Sequence, residues 1–331
     1  MSGAPLWAAV VGQGPAVTLL QRAVAADRVA HAYAFVGPAG VGRRLTALAF
    51  AQAGLCRRRG CGACPACRRV AAAQHPDLLL LAPTPPKENP RGTPSLRIEQ
   101  IRELEHWAAL APLEGQRKVF VLDDADRLTV QAAEALLKTL EEPPPRTLLI
   151  LIVANPRALP PTVLSRCQIV RFRPLAAAEV AAVLTARGAA AETAAAVARL
   201  ARGRPGLALG TDLDALRGRR AVALDLLALP PSALAGRLDA GALDRASVAG
   251  CLETYWLWYR DALCLVAGAD PALLVNDDRQ AELGELAGRV PLPALAEAMR
   301  AIKEAWLALD TNVSPRLCLE RALLALAPGA A

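Results

Sequence analysis

Aromatic residues are scarce in this chain of 331 residues, at 4%, and histidines number only three. With so few aromatics, the apolar fraction of 54% falls largely to alanine and leucine, a composition that favours helix. Nothing marks a catalytic histidine, and His31, His75 and His106 read as structural. Long apolar runs are also missing. None approaches the roughly 18 residues that a membrane-crossing helix needs, and the run from Leu148 to Ala154 suits only a buried strand. The opening MSGAPLWAAVVGQG lacks the charged lead and apolar segment of a secretory signal. These absences predict a cytoplasmic protein with no membrane partner.

What is present begins with size and charge. A chain of this length exceeds one small core and predicts two or three domains. The net charge is +7. That excess permits contact with nucleic acid, and it equally fits an arginine-rich composition with no such role. Eight cysteines in a cytosolic protein argue against a disulfide framework. Cys167, Cys251, Cys264 and Cys318 are scattered, whereas the other four lie within a dozen residues.

Along the chain, Leu19, Leu20 and Val24 predict a helix leading into a short strand at Ala32 to Val36. The turn Gly37-Pro-Ala-Gly-Val-Gly42 follows, and then Leu45, Leu48 and Ala49 recur at helical spacing. Strand, glycine loop and helix in that order is the layout of a P-loop. Further strands are predicted at 78–81, 119–122, 148–153 and 168–172, with helices through Ile98, Ile101 and Leu104 and from Ala132 to Leu140. Five prolines between Pro83 and Pro94 mark a surface loop. Apolar strands alternating with helices predict an α/β core with a parallel sheet covered on both faces. Past Pro174 the chain is alanine- and leucine-rich without a convincing strand, and turns at Gly203-Arg-Pro-Gly206 and Leu229-Pro-Pro231 divide it. The expected division is a core at 1–173, a small helical domain at 174–212 and a larger all-α domain at 213–331.

A working P-loop reads G-x-x-x-x-G-K-[ST]: backbone N–H groups cradle phosphates, the lysine reaches the terminal phosphates and the hydroxyl binds magnesium. Here Gly37, Gly40 and Gly42 stand in the frame, but both chemical positions are arginine, Arg43 and Arg44. Arg43 keeps the charge in a wider planar head. Arg44 cannot ligate magnesium and puts a cation where the metal would sit. Asp123 and Asp124 end the apolar strand before them, so the position that would poise an attacking water is one methylene short of glutamate. The fold is expected to persist while phosphoryl transfer, lacking its metal, is not.

Cys56-x4-Cys61-x2-Cys64-x2-Cys67 supplies four thiolates within reach of one tetrahedral zinc. Gly60, Gly62 and Pro65 permit the turns, and Arg57, Arg58, Arg59, Arg68 and Arg69 offset the charge of such a site. With no open coordination position, the expectation is a structural Zn(2+). The same arginines could instead touch DNA.

These pieces together resemble the delta-prime subunits of bacterial DNA polymerase III clamp loaders, members of the AAA+ clamp-loader family. The text that carries the resemblance is Gly12-Gln13, HAYAFVGPAGVGR from His31, the four cysteines, His75-Pro76-Asp77, LRIEQIREL from Leu96, VFVLDDAD, ALLKTLEEPP from Ala135, and LPPTVLSRC from Leu159 to Cys167. It is dense from about residue 10 to 174 and recovers weakly at Asn312 to Leu324. In that family the triplet Ser165-Arg166-Cys167 presents an arginine finger in trans to ATP held by the adjacent subunit. The sensor G-x-x-R of motor subunits here reads Gly203-Arg-Pro-Gly206, with glycine at the arginine position, and the polar sensor after the fourth strand falls at Ala154 or Asn155.

The resemblance implies a hetero-oligomer with gamma/tau and delta subunits, acting on a sliding clamp and primed DNA. It also implies a 174–212 lid, a 213–331 collar domain, and no ATP hydrolysis by this chain. Two other readings stay open: an active gamma/tau-like ATPase with an atypical P-loop, and a nucleic-acid-binding zinc module on an inactive AAA+ core. Tyr255, Trp256, Trp258 and Tyr259 cluster at helical spacing, as core or subunit packing or as a base-stacking surface.

Overall fold

A computed structural model of the chain describes residues 5–86, 92–209, 213–239, 243–309, 311 and 313–326. The chain divides into two compact units, Met1–Leu209 and Gly210–Ala331. In chain order the first unit runs α1 (Gly14–Ala25), β1 (Ala32–Val36), α2 (Arg43–Leu55), α3 (Pro65–Ala71), β2 (Leu78–Leu81), α4 (Ile98–Ala109) and β3 (Lys118–Leu122). It continues with α5 (Val130–Glu141), β4 (Thr147–Val153), α6 (Pro161–Leu164), β5 (Gln168–Arg171), α7 (Ala177–Thr185), α8 (Ala191–Leu200) and α9 (Pro205–Ala208).

The five strands form one sheet in the order β2-β3-β4-β1-β5, and every pairing is parallel. Each predicted strand is present within a residue of its expected bounds. The central strand β4, TLLILIV, is buried at all seven positions, as expected for a parallel strand covered on both faces. Side chains alternate between those faces. Leu149, Leu151 and Val153 join Ile101, Leu104, Leu136 and Leu140 in one core layer with α4 and α5. On the other face Phe50 of α2 gathers much of the unit's small stock of aromatics. Tyr33 meets it edge-on at 5.0 Å, while Phe35 and Trp7 lie 6.5 Å away. Such pairs add to area burial.

Asp77, at the start of β2, is 3% exposed and accepts backbone N–H bonds from Leu113 (2.6 Å), Glu114 (2.8 Å) and Gly115 (2.6 Å). His75 is buried too, and its Nδ1 accepts the Asp77 N–H. The His-Pro-Asp motif therefore pins the turn ahead of β3. Of the proline-rich segment at 83–94, residues 87–91 lie outside the described residues, and Thr84 and Ser95 bridge its two sides in antiparallel fashion.

The second unit is helical throughout its described residues: α10 (Leu213–Leu227), α11 (Pro231–Asp239), α12 (Arg245–Val266), α13 (Gln280–Arg289), α14 (Leu292–Leu309) and α15 (Pro315–Leu326). Helix α12 is its axis, packing on α10, α13, α14 and α15. Tyr255, Trp258 and Tyr259 are core residues of this unit. The two phenols donate to the carbonyls of Ala223 (2.9 Å) and Leu326 (3.2 Å), so packing is what these rings do. Asp261, wholly buried on α12, accepts from Val275 N, Asn276 N and Asn276 Nδ2 at 2.8–3.0 Å. No helix among the described residues is long and apolar enough to cross a membrane.

Burial acts to raise the Asp77 pKa, but the three backbone donors outweigh it and hold the carboxyl below its ordinary value. A depressed folded-state pKa stabilises the fold above the unfolded-state pKa, and that stabilisation fades as pH falls through the folded value. Urea denaturation of Asp77→Asn at pH 7 is expected to show a loss of about 2 kcal/mol. The gap to the parent protein should narrow below about pH 4.

Candidate functional site

The glycine loop joins β1 to α2, and its glycines are required by position. A Cβ on Gly37 would lie 2.4 Å from the Phe172 carbonyl oxygen, so the loop can leave the sheet beside β5 only with no side chain there. Gly40 and Gly42 have φ of +83° and +99°, in the left-handed region where glycine carries no steric penalty. Gly42 caps the N-terminus of α2.

The two arginines that follow diverge. The Arg44 guanidinium, partly exposed, lies with Nη1 3.2 Å from Asp123 Oδ2 at the end of β3. Asp123 feels burial, which raises its carboxyl pKa, and Arg44, which lowers it. A cation seated between the hydroxyl position of the loop and the strand-end carboxylate would have to displace this ion pair. Arg43 turns inward and is only 5% exposed. Burial lowers its pKa against the opposing fields of Asp126, Asp124 and Asp123, and its Nη1 is buried with no hydrogen-bond partner. A buried guanidinium with an unbonded nitrogen is costly, and the three nearby carboxylates are what make it tolerable.

The surrounding turns are engaged as well. Asp124 sits in the left-handed region at φ 45°. Asp126 Oδ1 accepts the N–H of Ala154, just past β4, at 2.9 Å. Asn155, the other candidate polar sensor, caps the next turn by accepting from Arg157 N. The helical segment after β5 folds onto the loop: Gly206 N–H donates to the Gly40 carbonyl at 2.8 Å, and a Cβ on Gly206 would lie 2.9 Å from Gly40 Cα. Glycine at 206, where the sequence expectation put a sensor arginine in motor subunits, thus allows backbone to pack on backbone. Leu175 N–H donates to the Gly203 carbonyl at 2.9 Å and closes the same turn from its other side.

The cysteine cluster occupies the opposite end of α2, about 20 Å from the loop for a helix of this length at 1.5 Å per residue. Cys56 follows the last residue of α2, and Cys64 caps α3 by accepting from Cys67 N. The four Sγ atoms lie within 4.8 Å of one another, with separations of 3.8 Å (Cys56–Cys61), 3.6 Å (Cys56–Cys64) and 3.9 Å (Cys61–Cys67). A tetrahedral ion with bonds of about 2.3 Å needs sulfur–sulfur edges of about 3.8 Å, so the four thiols fit a metal ion. Arg59, Gly60 and Gly62 take positive φ to bring them together. Burial works against ionisation of Cys56, but backbone donors from Cys61, Gly60 and Arg58 prevail and bring its pKa down to about 6. Burial pushes Cys67 up. Gln52 ties the cluster to the fold, its Nε2 donating to the Cys67 carbonyl and its Oε1 accepting from Leu6 N.

Beyond β4, the triplet Ser165-Arg166-Cys167 closes helix α6, and each side chain is engaged within the chain. Ser165 Oγ and Arg166 Nη1 both donate to the Thr162 carbonyl, at 3.1 and 2.9 Å. Cys167 points inward against the core, its thiol pushed up to about 12 by burial. Arg166 Nη2 pairs with Glu141 Oε1 at 2.7 Å. Neither partner of Arg166 belongs to the glycine loop of its own chain. Sequence reasoning marked the triplet but missed Glu141, Gly206 as a loop contact, and Asp126.

Residues 12–176 match the family described as DNA polymerase III, delta subunit. The chain is 43% identical over 142 residues to the DNA polymerase III subunit delta' of Pseudomonas aeruginosa, covering 42% of each protein. It is 37% identical over 160 residues to that of Bacillus subtilis, covering 47% of this chain and 46% of that protein. Similarity extends to the tau subunit of Bacillus subtilis, 32% identical over 168 residues, covering 50% of this chain and 28% of that one. The chain spans less than half the length of these curated relatives.

Substitution at Gly206 tests the docking of the sensor turn. Gly206→Val drives a branched side chain into the Gly40 backbone and is expected to lower stability by about 1–3 kcal/mol in thermal denaturation. Gly218→Ala on α10, where a Cβ meets nothing within 4 Å, should be neutral or slightly stabilising.

Proposed function

Over residues 12–176 the chain belongs to the DNA polymerase III delta-subunit family, and from that premise we propose that it is the noncatalytic, delta-prime-type member of a clamp loader. In this reading it occupies a cytoplasmic hetero-oligomer with gamma/tau and delta subunits. It hydrolyses no ATP itself and offers Arg166 to ATP held by the neighbouring gamma/tau subunit. The assembly uses that hydrolysis to load a sliding clamp on primed DNA. Residues 1–173 act as the AAA+ core with its 56–67 insertion, 174–212 as the lid and 213–331 as the collar; residues 210–212 of the expected lid boundary lie outside the described residues.

The observation that carries the reading is the Arg44–Asp123 ion pair. Magnesium bridges the phosphates of a bound triphosphate and neutralises charge in the transition state; here the exposed Arg44 guanidinium pairs with the carboxylate instead. The buried Arg43 and the Gly206–Gly40 contact work in the same direction. Arg166, partly exposed and bonded to the Thr162 carbonyl of α6 and to Glu141 of α5, suits donation outward: a guanidinium is permanently charged and bonds phosphate oxygens in pairs.

Two other readings have some support. Similarity to tau subunits favours a motor, which requires the isolated chain to bind ATP with magnesium tightly. A nucleic-acid module is favoured by the arginines around the cysteines, yet Arg59 donates to Ala25, Arg68 to Ala63, and Arg69 pairs with Glu114. Three of the five are thus engaged within the chain.

In a reconstituted loader, Arg166→Ala should leave assembly intact by gel filtration and lower the clamp-dependent ATPase rate, by as much as about 10³-fold if this finger is worth what the strongest trans fingers are. An unchanged rate would overturn the trans role. For the cluster, we propose structural zinc held by Cys56, Cys61, Cys64 and Cys67. Metal analysis of the purified chain should find about one zinc per chain, and chelation or Cys64→Ser should lower the melting temperature; native protein without bound metal would refute this.

A further inference from the structure

Arg166 is a long side chain at an only partly covered site, and a free arginine there would sample many rotamers. It is held instead at two points. Nη1 donates to the Thr162 carbonyl at 2.9 Å, and Nη2 pairs with Glu141 Oε1 at 2.7 Å. The first partner is backbone within α6, present with any residue at 162. The second is a side chain from a different element, the last residue of α5. Glu141 is half exposed, and a pair this open contributes little to folding stability. What it does is orient. A guanidinium carries five N–H donors in a planar fork; the two contacts use two of them, and three stay free for an incoming anion.

We propose that Glu141 is the positioning residue for Arg166, holding the guanidinium in one rotamer so that its remaining donors face outward before a phosphate arrives. The inference rests on the trans-acting role of Arg166 given above. The anchor comes from α5, whose Leu136 and Leu140 are buried in the core under the sheet, so the arginine's aim is referred to the rigid part of the fold. Ser165 shares the Thr162 carbonyl and Cys167 packs inward beside it. The triplet's backbone is thus fixed by its neighbours, and only the arginine's outer torsions are left for Glu141 to fix.

The test uses the reconstituted loader with single and paired substitutions. Glu141→Ala should lower kcat roughly two- to ten-fold, the cost of re-immobilising one long side chain, with KM for ATP little changed and assembly intact. Glu141→Gln keeps an acceptor at the same reach and should recover most of the rate. The decisive measurement is coupling: in an Arg166→Ala background, Glu141→Ala should cost nothing further. If Arg166→Ala lowers the rate but Glu141→Ala leaves it unchanged or raises it, the positioning role is wrong while the finger stands. Losses that multiply in the double variant would likewise overturn the positioning role and spare the finger. If Arg166→Ala itself has no effect, the trans role fails, and the positioning role with it.

Discussion

Parallel pairing is the constraint from which the site follows. All five strands point the same way, so the segments leaving β1, β3 and β4 emerge at one edge of the sheet, where open α/β folds gather ligand sites. Residues far apart in sequence, Gly42, Asp123 and Ala154, are neighbours for that reason. The Arg44–Asp123 pair and the Asp126–Ala154 bond are cross-links between adjacent turns on this edge. They tie the turns of this edge to one another, which is the geometry that the proposed noncatalytic reading draws on.

Helix α2 connects this edge to a second centre. Its N-terminus begins in the glycine loop and its C-terminus delivers Cys56. The apolar face between them is fastened to the sheet by Phe50 among Tyr33, Phe35 and Trp7. The glycine loop at one end and the four cysteines at the other are therefore joined by a single helix, although they share no ligand. Gln52, bonded both to the cysteine segment and to Leu6, extends the connection to the N-terminal residues.

Much of the fold was legible because buried parallel strands are apolar throughout. Runs such as Leu78–Leu81 and Thr147–Val153 have only one comfortable home. The cysteines were legible because ligand spacing within a dozen residues is a local property. What stayed hidden depends on proximity through space. Glu141 reads in sequence as one more charge on a solvated helix face, and only the packing of α5 against α6 brings it to Arg166. Asp77 gave no sign that three backbone donors from 113–115 would converge on it, and neither did Asp261 with the 275–276 turn. In each case the acceptor and its donors sit on different elements, beyond the reach of helical or strand periodicity. The aromatic group on α12 fitted both a core and an exposed stack, and burial decided for the core.

The turn at Gly203 to Gly206 has an evolutionary consequence. Exchanging Arg43 and Arg44 for the lysine and hydroxyl of a motor would still leave Gly206 seated against Gly40, with no arginine at the sensor position. Any side chain added at 206 meets the loop backbone before it meets solvent. Motor-type residues at all three positions would therefore require changes in two separate segments. On the proposed noncatalytic reading such a turn acts as a ratchet, because the glycine at 206 and both loop arginines would have to be undone together.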